Sequence, residues 1–103
     1  MMVEEIAGFD WDGGNREKCR KHGVSSVEIE RLFLAGPLAV RPDPAHSLAE
    51  ERFQAIGRTA AGRSVFLVFT VRERDGKRLI RPISARYMHT KEIENYEKEN
   101  PPA

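Results

Sequence analysis

The sequence predicts an α+β domain in which a small antiparallel sheet carries two N-terminal helices on one face and a C-terminal helix follows. Three observations predict this class. Ser25 and Glu28 have the spacing of a helix capping box. Three β-rich runs follow between residues 52 and 86, and Asp75-Gly76 joins the last two with a strong hairpin signal. Helical spacing then returns near the C-terminus, so the sequence predicts helices both before and after the three strands.

The N-terminal segment predicts one short strand and one short helix. Phe9 to Asp12 alternates apolar and acidic residues, as a strand with one buried face does, and Gly13-Gly14 ends it. Asn15 is the predicted N-cap of a helix that runs to about His22, and Gly23 suits the left-handed position that closes a helix. His22 has two interpretations. It is either a cation favoured by the helix dipole or a proton-transfer residue near neutral pH.

The next segment predicts a helix, an edge strand and a loop. Ser25 begins the helix and Gly36 ends it. Residues 38–40 are apolar and predict a strand at the edge of the sheet. Residues 41–50 contain two prolines and several turn formers, so we expect a loop that carries His46.

The three following strands are paired by two assumptions about their turns. Arg74 is assumed to pair with Lys77 across Asp75-Gly76, and Arg58 with Arg63 across the preceding turn. The pairs that follow are Thr70 with Arg81, Val68 with Ile83, Leu67 with Ser84, Val65 with Arg86, Arg52 with Phe69 and Gln54 with Leu67. An error of one residue in the loop from Thr59 to Gly62 would turn the first of these strands over and move Arg52 to the core face, since side chains alternate between faces.

Alternation along these strands divides the predicted sheet into two faces. The expected core face, covered by the two N-terminal helices, carries Phe53, Ala55, Phe66, Val68, Ile83 and Ala85, with Thr70, Arg72 and Arg81 toward one end. The other face carries Arg52, Gln54, Ser84 and Arg86 around Val65, Leu67 and Phe69. The second face is too polar for a core and too apolar for ordinary surface, which is typical of a binding face. On this division, Arg81 anchors an acidic residue on the covered side.

The C-terminal segment predicts one more helix. Thr90 is its predicted N-cap, the helix runs to about Glu99, and Glu92 lies in its first turn. Ile93 and Tyr96 are three residues apart, so they share a side that can pack on the sheet.

Composition predicts a single domain over residues 1–103, located in the cytoplasm. The chain is 40% hydrophobic and 32% charged, as in a soluble globular protein. It contains no apolar run of the roughly 20 residues that a membrane span needs. The acidic N-terminus predicts no signal peptide, and the single Cys19 cannot form an internal disulfide.

Charge is unevenly distributed along the chain. The net charge is −4 over residues 1–51, +7 over residues 52–86 and −2 over residues 87–103. A basic middle segment is expected of an anion-binding face, with phosphate backbones the commonest target. Two structural roles would produce the same charge pattern: arginine and lysine protect strand edges, and these arginines could pair with the acids of the first half.

The motifs exclude most cofactor enzymes and leave a site of arginines, histidines and a glutamate. No paired cysteines, no metal-binding His spacing and no phosphate-binding glycine loop are present, so we expect neither a metal nor a cofactor. Such a set can cleave RNA, because the 2′-hydroxyl of RNA is an internal nucleophile. The protein then has to supply a base for that hydroxyl, an acid for the leaving 5′-oxygen and cations for the extra charge on phosphorus. Arg52 and Arg86 suit phosphate contacts, and Glu51 or His22 is the candidate base or acid.

Several short motifs, taken in order, resemble the BrnT family of bacterial type II toxins. They are Phe9-x-Trp11-Asp12, Lys21-His22-Gly23-Val24, Glu51-Arg52-Phe53, Ile56-Gly57, Thr70-x-Arg72, Ile83-Ser84-Ala85-Arg86, Glu92 and Tyr96-Glu97. The resemblance covers residues 9–97 and implies a RelE-like ribonuclease fold.

The resemblance also implies a function and partners. The expected function is metal-independent RNA cleavage that inhibits translation. The expected partner is a BrnA-like antitoxin that binds DNA through a ribbon-helix-helix domain, and toxin and antitoxin form a heterotetramer. The predicted site places His22, Glu51, Arg52 and Arg86 in catalysis, and Lys21, Gln54, Arg72, Arg81 and Ser84 in RNA binding. The alternative is a decayed toxin that binds RNA or docks its antitoxin without cleaving.

Overall fold

Five strands form one sheet in the order β1-β5-β4-β3-β2, and β1 pairs in parallel with β5 while the other neighbours are antiparallel. The computed structural model describes residues 6–46 and 50–100. The strands are β1 (Gly8–Phe9), β2 (Leu38–Pro42), β3 (Arg52–Arg58), β4 (Ser64–Arg74) and β5 (Lys77–Tyr87). The helices are α1 (Gly13–Arg20), α2 (Ser26–Ala35) and α3 (Thr90–Glu99), with a short 3₁₀ helix at Pro44–His46. The α+β class with a C-terminal helix is confirmed. No described helix has the length and apolar character to cross a membrane.

Helix α1 begins earlier than predicted. Its N-cap is Asp12, whose Oδ1 accepts from the Asn15 N–H at 3.0 Å, while Asn15 Oδ1 accepts from the Asp12 N–H at 2.7 Å. The prediction of Asn15 as N-cap is therefore wrong. The strand predicted over residues 9–12 is observed at Gly8–Phe9 instead. Asn15 is instead buried, since its amide group donates to two backbone carbonyls inside the fold.

The other two helices start at or next to the predicted position. The Ser25 and Glu28 capping box at α2 is confirmed. The N-cap of α3 is His89 rather than Thr90, and its N–H donates to Glu92 Oε1 at 3.2 Å. The first-turn carboxylate therefore satisfies an N–H group that would otherwise lack an intrahelical partner.

The Asp75-Gly76 hairpin is confirmed, but the register of paired residues between its two strands, β4 and β5, changes by one residue partway along. Asp75 and Gly76 have φ of 52° and 76°, as a type I′ turn requires, and Thr70 pairs with Arg81. Beyond that point Phe69 pairs with Pro82 and Val68 with Ser84, so Ile83 is an extra residue in a β-bulge. Proline lacks an N–H and is confined to bulges or edges within sheets. The predicted pairs of Val68, Leu67 and Val65 are therefore wrong by one residue.

The preceding hairpin also differs from the prediction by one residue. Arg58 pairs with Ser64 instead of Arg63, which places Arg52 opposite Thr70 and Gln54 opposite Val68. Thr59 closes the connection, because its Oγ1 accepts from the Arg63 N–H at 3.1 Å.

Both shifts turn β4 over relative to its predicted orientation. The side that packs in the core, here the core face, carries Phe53, Ala55, Gly57, Val65, Leu67, Phe69, Ile80, Pro82, Ala85 and Tyr87. The opposite side, here the arginine face, carries Arg52, Gln54, Phe66, Val68, Thr70, Arg72, Arg81, Ser84 and Arg86. The prediction was right for Phe53, Ala55 and Ala85 on one side and for Arg52, Gln54, Ser84 and Arg86 on the other. It was wrong for Val65 to Arg72 and for Arg81.

The core joins helix and strand side chains through a row of aromatic rings. Phe33 of α2 lies between Phe9 and Phe69, with ring centroids 5.9 Å and 4.9 Å away in edge-to-face contacts. Phe53 stacks on Phe69 at 5.3 Å. Such pairs add about 0.5–1.5 kcal/mol each beyond the area they bury. The buried helix side chains around this row are Cys19, Val24, Ile29 and Leu32.

Helix α3 lies on the arginine face but is not deeply packed. None of its described residues is fully buried. Its Glu92 binds Arg86 of β5 at 2.6 and 2.7 Å in a two-pronged ion pair, and Tyr96 lines a groove with Ile56 and Phe66. The ion pair is thus the main polar contact that ties α3 to the sheet in the described part of the chain.

We expect Gly57→Ala to destabilise the fold. An added Cβ would lie 2.9 Å from both Leu32 Cδ2 and Leu38 Cδ1, and Leu32 is 3% exposed and has little room to move. The expected loss in free energy of unfolding is about 1–3 kcal/mol, measured by urea denaturation. Gly13→Ala is the control, because a Cβ there meets nothing within 4 Å. Equal stability of the two variants would contradict the close packing of Leu32 and Leu38 against Gly57.

We expect Glu92→Gln to remove a stabilising contact that depends on pH. Arg86, with further help from the His89 N–H, holds the pKa of Glu92 at about 2, below its ordinary 4.5. The contribution is therefore complete above pH 4.5 and is lost as pH falls toward 2. Because the pair is partly exposed, the cost at pH 7 is at most about 1 kcal/mol. Urea denaturation at pH 7 and pH 3 measures it, with Glu94→Gln as control. A difference from wild type that is the same at both pH values would be inconsistent with this ion pair.

Candidate functional site

The β-bulge in β5 places the arginines of the basic segment on one face. Residues five apart point to opposite sides of a regular strand, yet Arg81 pairs with Thr70 and Arg86 with Phe66, which share one side of β4. Asn15 Nδ2 donates to the Pro82 carbonyl at 2.8 Å and to the Asp10 carbonyl at 3.0 Å. Helix α1 thereby fixes the bulge at the point where the face is assembled.

One end of this face is organised around a buried carboxylate. Asp10 is 6% exposed, and its Oδ2 lies 3.4 Å from Arg74 and 3.7 Å from both Arg72 and Arg81. Asp12 adds a close contact to Arg81 at 2.8 Å. The cap bond from the Asn15 N–H, and next this contact with Arg81, lower the pKa of Asp12. We call Asp10, Asp12, Arg72, Arg74 and Arg81 the Asp10 cluster.

The Asp10 cluster is close to electrically balanced. Glu50 binds Arg72 at 3.2 Å, which raises the pKa of that guanidinium, and Arg81 is 14% exposed. Among the described residues, Asp10 Oδ2, Thr70 Oγ1 and Arg81 Nη1 are buried without a well-formed hydrogen bond. The contacts of 3.4 to 3.7 Å are thus charge attractions longer than ordinary hydrogen bonds. The sequence-based expectation that Arg81 anchors acidic residues is confirmed, although it does so on the arginine face.

A carboxylate and an imidazole form a second group beside Arg52. Asp43 is 7% exposed, and both of its carboxylate oxygens lie 3.1 Å from Nδ1 of His46. The His46 contact, followed by Gln54 and Arg52, lowers the pKa of Asp43. The Asp43 N–H donates to the Arg52 carbonyl at 2.9 Å, which attaches this pair to the start of β3.

Arg86 lies at the other end of the face and is already engaged. Its guanidinium binds Glu92 and lies 4.9 Å from the centre of the Phe66 ring. Glu92 raises the pKa of Arg86, so this cation stays charged. About 40% of its side chain remains exposed.

The structure does not bring the predicted catalytic residues to one point. Arg52 is opposite Thr70 and Arg86 is opposite Phe66, which are four residues apart on β4, or about 13 Å at the usual rise. Glu51 is exposed next to Arg52.

His22 and Lys21 are also away from the start of β3. Both are exposed in the turn after α1. A Cβ on the neighbouring Gly23 would lie 3.8 Å from Cε2 of Tyr87, at the far end of β5. These two residues are thus nearer to the Arg86 end of the sheet.

The predicted RNA-binding residues are divided between the same two groups. Arg72 and Arg81 belong to the Asp10 cluster, and Gln54 lies beside Asp43 and accepts from Arg41 at 2.8 Å. Ser84 lies between the two ends of the arginine face, opposite Val68.

Arg74 and His46 are additional residues that the sequence does not predict for this site. Arg74 is 60% exposed and joins the Asp10 cluster only through tertiary structure. His46 had one local signal, which is an aspartate three residues earlier between two prolines.

These groups can bind phosphate and transfer protons. Guanidinium groups held by carboxylates are oriented before a ligand arrives, and an imidazole bound by a carboxylate presents its other nitrogen for proton exchange. Within residues 6–46 and 50–100, no three His, Cys, Asp or Glu side chains lie close enough together to hold a metal ion.

Comparison with known families agrees with this chemistry. Residues 11–92 match the family model described as the ribonuclease toxin, BrnT, of type II toxin-antitoxin systems. A comparison with curated proteins returned no match. The matched segment contains the Asp43 and His46 pair together with most of the arginine face, and it covers well over half of the 103 residues. The chain therefore belongs to the BrnT family of ribonuclease toxins from type II toxin-antitoxin systems.

Proposed function

We propose that this toxin is a metal-independent endoribonuclease that cleaves RNA on its arginine face and thereby inhibits translation. The observation that carries the proposal is the juxtaposition of Arg52, Arg72, Arg74 and Arg81 at one end of that face with Asp43 and His46. Family membership supports RNA as the substrate class.

The proposed chemistry uses only groups of the protein and the RNA. The 2′-hydroxyl attacks the adjacent phosphorus, a base takes its proton, and an acid protonates the leaving 5′-oxygen. Arginines stabilise the additional negative charge on the phosphoryl oxygens. Arg52 and Glu51 are proposed to act at the start of β3, where they are adjacent.

The other predicted residues are proposed to hold the rest of the RNA chain. Arg86, His22 and Lys21 lie near the far end of β5, too far from Arg52 to act on the same phosphate in this conformation. Ser84 lies between the two ends and extends the same path.

The proposed partner is a BrnA-like antitoxin with a ribbon-helix-helix DNA-binding domain. Membership in a type II family supports an antitoxin partner. We propose that the two proteins form a heterotetramer in the cytoplasm, that the antitoxin represses the shared operon, and that the toxin has a RelE-like fold.

One observation favours a second candidate function. Arg72, Arg81 and Arg86 each already bind a carboxylate of the same chain, which reduces the positive charge offered to RNA. A toxin that binds RNA or its antitoxin without cleavage would tolerate this balance.

We expect the purified chain to cleave single-stranded RNA in EDTA. Arg52→Gln and Arg74→Gln are each expected to lower kcat/KM at least about tenfold, because each removes a cation near the reacting phosphate. Arg31→Gln, on the exposed side of α2, is the control. Thermal unfolding of each variant confirms that it is folded. Salt-dependent RNA binding without cleavage by wild type would favour the second candidate instead.

We expect expression of the toxin alone to arrest growth and incorporation of labelled amino acids. Co-expression of a BrnA-like antitoxin is expected to restore both and to yield a complex whose mass corresponds to two copies of each chain. Multi-angle light scattering measures that mass. Normal protein synthesis during expression of a folded toxin would count against translation inhibition.

A further inference from the structure

We propose that His46 is the general base of the ribonuclease site and that Asp43 is its positioning residue. This inference rests on the proposed RNA cleavage and assigns one step of it to a side chain. Both oxygens of the Asp43 carboxylate lie 3.1 Å from Nδ1 of His46. Because Nδ1 is engaged by Asp43, proton exchange with a substrate falls to Nε2.

The burial of the two residues matches these roles. The Asp43 side chain is 9% exposed, whereas the His46 side chain is 66% exposed. A buried carboxylate holds its orientation, and an exposed imidazole can reach a bound substrate. The same arrangement of carboxylate and histidine sets the tautomer of a catalytic histidine in other enzymes.

The surroundings hold Asp43 in place from two strands. Its N–H donates to the Arg52 carbonyl at 2.9 Å. Its carboxylate is hydrogen-bonded to His46 and Gln54, and these bonds, with the nearby charge of Arg52, lower its pKa. Gln54 in turn accepts from Arg41 Nε at 2.8 Å. The charged and polar groups around the pair from β2 and β3 are thus Arg41, Arg52 and Gln54.

The position of the pair connects it to the phosphate-binding arginines. Arg52 is opposite Thr70, and Thr70 is opposite Arg81 of the Asp10 cluster. Arg52 is therefore near the Asp43 carboxylate of the pair on one side, and Arg81 lies two strands away across the same face on the other. No other described histidine has this neighbourhood: His22 lies near Tyr87, and His89 caps α3.

The proposed step transfers one proton to His46 and exchanges one bond to phosphorus for another. Nε2 of His46 accepts the proton of the 2′-hydroxyl as O2′ forms a bond to phosphorus. The bond from phosphorus to O5′ breaks, and O5′ takes a proton from water. The products are a 2′,3′-cyclic phosphate and a 5′-hydroxyl, and His46 then releases its proton to solvent.

His46→Gln tests the proposal with little risk to the fold, because this side chain is exposed. The assay is single-turnover cleavage of a labelled single-stranded RNA in EDTA, with binding measured on the same sequence lacking 2′-hydroxyl groups. We expect about a 100-fold or larger loss of cleavage rate and less than about a twofold change in binding. His89→Gln is the matched control and is expected to cleave like wild type.

Two further variants distinguish a direct role of His46 and Asp43 in cleavage from an effect on the folded structure. His46→Ala is expected to regain cleavage when imidazole is added to the buffer, which a structural defect would not do. Asp43→Asn is expected to slow cleavage and to alter the dependence of the rate on pH between about 5 and 8, where imidazole exchanges protons.

The outcomes distinguish this inference from the function on which it rests. No cleavage by wild type would refute the ribonuclease proposal itself. Equal cleavage by wild type and His46→Gln would refute only the role of His46. A parallel loss of binding and cleavage in His46→Gln, without imidazole rescue of His46→Ala, would also overturn it.

Discussion

The β-bulge at Pro82 and Ile83 is the constraint on which the arginine face depends. Without it, Arg81 and Arg86 would point to opposite sides of the sheet, because side chains alternate along a strand. The proline lacks the N–H that a regular ladder needs, and the bulge removes that need. Asn15 then binds the Pro82 carbonyl from α1, so the helix layer and the irregular strand fix one another.

The secondary structure could largely be predicted because its signals are local. The Ser25 and Glu28 box and the Asp75-Gly76 turn depend on residues at most three apart, and both are confirmed. The cap of α1 was harder, since Asp12 and Asn15 can each cap a helix and only burial of Asn15 against Pro82 decides between them.

The registers could not be predicted from the same signals. A single extra residue at Ile83 and a turn closed by Thr59 each shift β4 by one position. Since the side-chain period is two, those shifts exchange the faces of Leu67 and Val68. A proline within a strand indicates a bulge. The presence of Pro82 does not show, however, on which side of the proline the extra residue lies.

The candidate site was predictable in Arg52 and Arg86, but not in the face of Arg72 and Arg81, in Arg74 or in the acidic partners. Arg52 shares a face with Gln54, and Ser84 with Arg86, as alternation within each strand indicated, and the two register shifts bring both pairs to the same side of the sheet. Pairing of Asp10 with Arg72, Arg74 and Arg81 joins segments about 60 residues apart, which no local pattern reports. The near balance of charge within the Asp10 cluster also affects how the protein would encounter its proposed RNA substrate. Charges that cancel within a few ångströms project little field into solution. For the proposed RNA substrate, capture at this surface would thus depend on fitting a phosphate between paired groups at contact, and abundant polyanions of the wrong shape would gain little from it.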